Sequence, residues 1–101
     1  MQFKDIQKGV INNAKKYKKK YKVKIDEDFA LLKLMEEVGE FAQAVLIHRR
    51  KCRPEKYVDK KVSKAEVSKE LADVVGMAMI TAQVMGIDLE KAIDQKWITK
   101  K

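Results

Sequence analysis

Apolar residues recur at three- and four-residue steps along most of the chain, the period of helices rather than strands. Phe3, Ile6, Val10 and Ile11 open the pattern and predict a first helix over about 2–20. Its end, KKYKKKYKVK, reads as a solvated, fraying, lysine-rich tail. Asp26 is placed to cap a second helix over about 27–50, and the two acids behind it suit the positive end of the helix dipole. Its stripe is Leu31, Leu34, Met35, Val38, Phe41, Ala42, Val45 and Leu46. Residues 51–62 hold the only proline and little periodicity, which predicts a basic connecting loop. Ser63 followed by Glu66 is a capping-box pattern that would open a third helix over 64–85, with Val67, Leu71, Val74, Val75, Ala78, Ala82 and Met85 as its stripe. Gly86 stands where a glycine should end it, and Asp88 would cap a fourth helix over 89–100 with Leu89, Ala92, Ile93 and Trp97 inward. The expectation is one all-α domain, a four-helix bundle spanning 1–101.

Within the third helix, VVGMAMITAQVMGI carries no charge and is apolar on every side. A helix apolar all round is buried all round, and a 101-residue monomer has too much surface to enclose one of its own four helices. A second subunit is the economical cover, so a homo-oligomer is expected, a homodimer or a dimer of dimers.

Composition narrows the class. Four Gly and one Pro leave little turn chemistry for a many-stranded sheet. No apolar run reaches the ~18–20 residues of a membrane span, and the first residues lack a signal-peptide core, so a cytoplasmic protein is expected. A lone cysteine, Cys52, excludes an intramolecular disulfide and a cysteine-based zinc cluster. The net charge of +8 invites a nucleic-acid reading, but it is unevenly spread. Residues 1–25 carry +8, residues 26–47 carry −5, residues 48–64 carry +6, and the remainder sums to −1. The acidic block is the informative one.

That block contains Glu36, Glu37 and Glu40, and the third helix contains Glu70 and Asp73. Glu37 and Glu40 are three residues apart, as are Glu70 and Asp73, so each pair projects from one helix face. Both pairs flank apolar stripes. If the two helices pack antiparallel through those stripes, four carboxylates meet at one seam, where each like-charge pair at ~5 Å costs about 3 kcal/mol. An all-oxygen set without histidine suits a hard cation, Mg²⁺ or Mn²⁺, rather than zinc or copper. The same scarcity of histidine excludes a ferritin-like di-iron bundle.

The run EEVGE at 36–40, followed after 29 residues by ELAD at 70–73, resembles the signature of the MazG-like, all-α nucleoside triphosphate pyrophosphohydrolases. The resemblance extends from about Phe29 to Lys96 and includes LLKLMEEVGEFAQA, KELADVVGMAMITA and GIDLEKAI. It implies that Glu37, Glu40, Glu70 and Asp73 bind Mg²⁺, and that Glu36 lies near the attacking water or a second metal. It also implies a Lys and an Asn on the last helix that hold the triphosphate. Lys96 falls at the position of that Lys, whereas Lys100 occupies the position of the Asn, a departure from the family pattern. Lys33, one turn before Glu37, would add positive charge. The implied reaction cleaves a nucleoside triphosphate, deoxy or non-canonical nucleotides included, to the monophosphate and pyrophosphate. Two alternatives stand beside it: phosphoribosyl-ATP pyrophosphohydrolase, whose acidic motifs are similar, and a non-catalytic basic helical protein that binds nucleic acid or another partner. Nonspecific contact of the lysine runs with nucleic acid is the less favoured expectation. His48 reads as a surface histidine at a helix end, Trp97 as core or interface, and Cys52 as a passive exposed thiol.

Overall fold

The computed structural model describes residues 1–100. Four helices follow one another: α1 Phe3–Tyr21, α2 Glu27–His48, α3 Lys60–Met85 and α4 Leu89–Ile93, the last continued by one wide π-helical turn, Asp94–Ile98. The described residues contain no strand, so the all-α expectation is correct. Asp26 caps α2 as expected, its carboxylate accepting from the Phe29 N–H at 2.9 Å. Gly86 ends α3 at φ +68°, and the Ile87 N–H returns to the Ala82 carbonyl at 2.8 Å, the left-handed closure that glycine takes without a Cβ penalty.

α3 begins four residues before the expected position. Asp59 is its cap, accepting from the Lys61 N–H at 2.8 Å. Ser63 is 2 % exposed inside the first turns, and its Oγ lies 2.7 Å from His48 Nδ1. The capping-box pattern at Ser63 and Glu66 is therefore spent on a contact between helices. His48 is correspondingly half-buried at the end of α2 rather than free on the surface. Burial depresses its pKa, and the charges of Lys60, Lys64 and Arg49 depress it further. The connecting loop also contains a short 3₁₀ turn, Pro54–Lys56, whose neighbour Tyr57 donates its hydroxyl to the Arg50 carbonyl at 2.9 Å.

α2 and α3 are the principal packed pair. His48 meets Ser63 at one end of the seam, and Glu37 meets Glu70 and Asp73 near its middle, so the two helices run antiparallel. Ala30, Ala44, Met77, Met79 and Ala82 form the buried apolar centre. α1 leans chiefly on α3, with the Val10 side chain beside Gly76, and remains helical through the lysine-rich tail as far as Tyr21. Lys4 near its start pairs with Asp88 at 3.2 Å.

Large apolar side chains remain open to solvent in the single chain. Leu31, Leu32, Met35 and Val38 of α2 are 47–66 % exposed, and Val75 and Met85 of the uncharged segment of α3 are about half exposed. Trp97 is 71 % exposed, contrary to its expected inward position. Ala92 and Ile93, which precede the wide turn, are exposed as well, because in the single chain α4 packs mainly on the turn that continues it. No single helix is long and apolar enough to cross a membrane.

Candidate active site at the α2–α3 seam

Antiparallel packing brings the two acidic motifs together. Glu37, Glu70 and Asp73 each place a carboxylate oxygen within 4.8 Å of the others, and Glu36, Glu37 and Glu40 form a second such group that shares Glu37. Helix periodicity is the cause: the acids occupy the edge of each apolar stripe, so the packing that buries the stripes carries both edges to one place. Glu37 sits deepest, at 8 % exposure.

The electrostatics of the group are unsatisfied. Glu37 Oε2 and Glu70 Oε2 are buried without a hydrogen-bond partner. Burial raises the pKa of Glu37, and the charges of Glu40, Asp73 and Glu70 raise it further against the pull of Lys33. Glu70 is likewise raised, first by loss of water and then by Glu40 and Asp73. Lys33 is the one cation among them, 2.5 Å from Glu36 Oε1 and 3.9 Å from Glu37 Oε1. Its hydrogen bond to Glu36 raises its own pKa and fixes it as an ammonium. One ammonium against five carboxylates leaves a strongly negative seam. Two orphaned buried oxygens and an all-oxygen donor set from two helices are what a hard divalent cation requires, so the residues present fit such an ion.

Lys96 lies exposed on the C-terminal turn and Lys100 exposed two residues beyond it, and they line neither cavity beside the seam. A cation the sequence did not single out, Lys56, is nearer the acids: it borders a cavity of about 520 Å³ together with Glu40, Glu66 and Glu70. Its position in an aperiodic loop gave no pattern from which to infer this. On the other side of the seam Lys33, Glu37 and Asp73 open onto a cavity of about 380 Å³ between α1, α2 and α3. Tyr17 and Phe29 line it, with ring centroids 6.4 Å apart. A signal for that wall exists in the sequence, since Val10, Ala14, Tyr17 and Tyr21 continue the stripe of α1 through the lysine tail.

No curated protein and no solved structure matches the chain. A family comparison does: residues 4–95, which include all five acids of the seam, match phosphoribosyl-ATP pyrophosphohydrolase, a family within the MazG-like all-α superfamily. With nearly its whole length matched, the chain belongs to the phosphoribosyl-ATP pyrophosphohydrolase family of nucleotide pyrophosphohydrolases.

Proposed function

We propose that this chain hydrolyses phosphoribosyl-ATP between its α- and β-phosphates, releasing pyrophosphate and the corresponding monophosphate. The family match favours this narrower substrate over ordinary nucleoside triphosphates. The observation that carries the reaction class is the convergence of Glu37, Glu70 and Asp73 within 4.8 Å, with two buried oxygens left without partners.

Glu37, Glu40, Glu70 and Asp73 are the proposed ligands of Mg²⁺, for which Mn²⁺ would substitute. The bound ion supplies charge neutralisation for the phosphates and for the pyrophosphate leaving group. The protein's own residues do the rest. The apolar seam fixes the acids before substrate arrives, so the charge arrangement costs no reorganisation during the reaction. Glu36, exposed and held by Lys33, is the group proposed to orient the attacking water. Lys33 and Lys56 flank the acids on opposite sides and are placed to meet phosphate oxygens. Lys96 and Lys100 would join them only if the C-terminal turn reaches a seam, in the same chain or in a partner. The exposed apolar side chains of α2 and α3 support a homodimer, whose formation would cover Leu31, Met35 and Val38.

Pyrophosphate release from phosphoribosyl-ATP and from the eight canonical ribo- and deoxyribonucleoside triphosphates, with Mg²⁺ and with EDTA, tests the proposal. Cation-dependent release from phosphoribosyl-ATP at a kcat/KM at least a hundredfold above any other substrate is expected. Release confined to ordinary triphosphates would replace the substrate, and silence throughout would remove the reaction. Sedimentation of a monomer at micromolar concentration would remove the homodimer.

A further inference from the structure

Phosphoribosyl-ATP is anionic at both ends. Its triphosphate lies on one side of the adenine, and the ribose on N1 carries a separate 5-phosphate on the other. A site selective for it over ATP must therefore hold a base between two anion-binding regions. The 380 Å³ cavity is bounded in that way. At one end stand Lys33, Glu37 and Asp73 of the seam. Phe29, Lys33 and Glu37 mark successive turns of α2, so the aromatic end of the cavity lies about 12 Å along the helix from Glu37 at 1.5 Å rise per residue. Between the ends the walls are apolar, with Ile25, Met77 and Ile80 among them, as a base requires. Asn13 and Tyr17 are the lining residues with neutral polar groups on their side chains.

Beyond Tyr17 the charge reverses. Tyr21 packs against Tyr17 with ring centroids 4.8 Å apart and planes tilted by 49°, and Lys20 Nζ lies 5.2 Å from the Tyr21 centroid. Residues 15–24 carry seven lysines and no acid. Helical order through Tyr21 places Lys20 three residues after Tyr17, one turn beyond the cavity wall, instead of leaving it in a frayed tail.

We propose that this cavity is the purine subsite, that Asn13 reads the edge of the base, and that the lysine-rich end of α1, Lys20 foremost, receives the distal 5-phosphate. The assignment rests on the proposed substrate. It makes α1 the element that separates phosphoribosyl-ATP from ATP. An Asn amide offers a donor and an acceptor on one plane, which suits the adjoining donor and acceptor positions of an adenine edge.

Steady-state kinetics on phosphoribosyl-ATP, with ATP as a competing inhibitor, test it. Lys20→Glu should raise KM for phosphoribosyl-ATP about tenfold, the size of one lost charge-assisted hydrogen bond to phosphate, with most of kcat retained at saturation. The ATP inhibition constant should change less than twofold, because ATP has no distal phosphate. Asn13→Leu should weaken both ligands. Lys8→Glu, the same charge reversal on the opposite face of α1, controls for long-range steering and should leave both constants within twofold. Circular dichroism confirms the fold of each variant. Equal effects of Lys20→Glu and Lys8→Glu, or equal losses of ATP and phosphoribosyl-ATP in Lys20→Glu, would overturn the distal-phosphate assignment while the reaction stood. Absence of phosphoribosyl-ATP turnover in the unsubstituted protein would overturn the reaction and this assignment with it.

Discussion

Glu37→Gln should stabilise the cation-free protein while destroying its response to Mg²⁺. Glu37 is the acid common to both carboxylate groups, 8 % exposed, with one buried oxygen unpartnered. At 4.8 Å and an effective dielectric of about 20, Glu40 and Asp73, the two strongest opposing charges, each oppose its charge by about 3 kcal/mol. Lys33 at 3.9 Å returns about 4 kcal/mol on the same scale. Solvent screening of the exposed Asp73 shrinks the balance, and burial of the carboxylate adds to it. A net cost of about 1–2 kcal/mol remains against the charged form. Glutamine keeps the shape and removes that cost, so melting in EDTA at pH 7.5 should rise by about 5–15 °C. Added Mg²⁺ reverses the order. A hundredfold excess over the dissociation constant stabilises the unsubstituted protein by about 2.7 kcal/mol, and the variant, short of one charged ligand, should gain less than a third of that. Thermal melts by circular dichroism at one fixed protein concentration measure both effects. A Glu37→Gln protein that melts lower than the parent in EDTA, or that responds equally to Mg²⁺, would refute the account of the seam as a repulsive site awaiting a cation.

Glu40→Gln and Asp73→Asn should each lower Mg²⁺-dependent turnover at least a hundredfold with helical content unchanged, as read by pyrophosphate release beside far-ultraviolet circular dichroism. Because Glu37 and Glu70 have raised pKa values in the fold, the native state keeps their protons to higher pH than the unfolded chain does. Their contribution to stability is therefore full below the ordinary value of 4.5 and is lost as pH rises through the raised values. In EDTA the stability advantage of Glu37→Gln over the parent should accordingly widen as pH rises above the ordinary value of 4.5, and a constant difference in urea midpoints would contradict the shift. Gly86→Ala meets no neighbouring atom within 4 Å, so its cost is the backbone's alone at φ +68°, about 1 kcal/mol in urea denaturation.

The parts of the fold that rest on local chemistry were legible in the sequence. Asp26 and Gly86 announce the ends of α2 and α3 because a cap and a left-handed closure need particular residues at particular positions. The acidic seam was legible for a related reason, since carboxylates flanking two apolar stripes must meet wherever the stripes do. Ser63 was misread because its hydroxyl has two uses, capping a helix or bonding a neighbour. Only the position of His48 in space decides between them. Trp97 departs from its inward position because α4 as a whole packs on little else in the single chain, which apolar spacing does not record. The placement of Lys56 beside Glu40 and Glu70 depends on how a loop folds back, and nothing periodic encodes that.

The unequal attachment of α1 has a consequence for the order in which the protein assembles and opens. α2 and α3 are neighbours in the chain, joined by the short stretch 49–59, and their contacts close a small loop. Such a hairpin of helices can form early, and its amides should exchange with solvent only on global unfolding. The acids of the seam belong wholly to that hairpin. α1 contributes no ligand and is held mainly by one face on α3, so it can detach as a unit at lower cost. Its amides should then exchange faster than those of α2 and α3 and become slower when a nucleotide fills the space beneath it. Chemistry and recognition would thus reside in parts of the fold with different opening free energies.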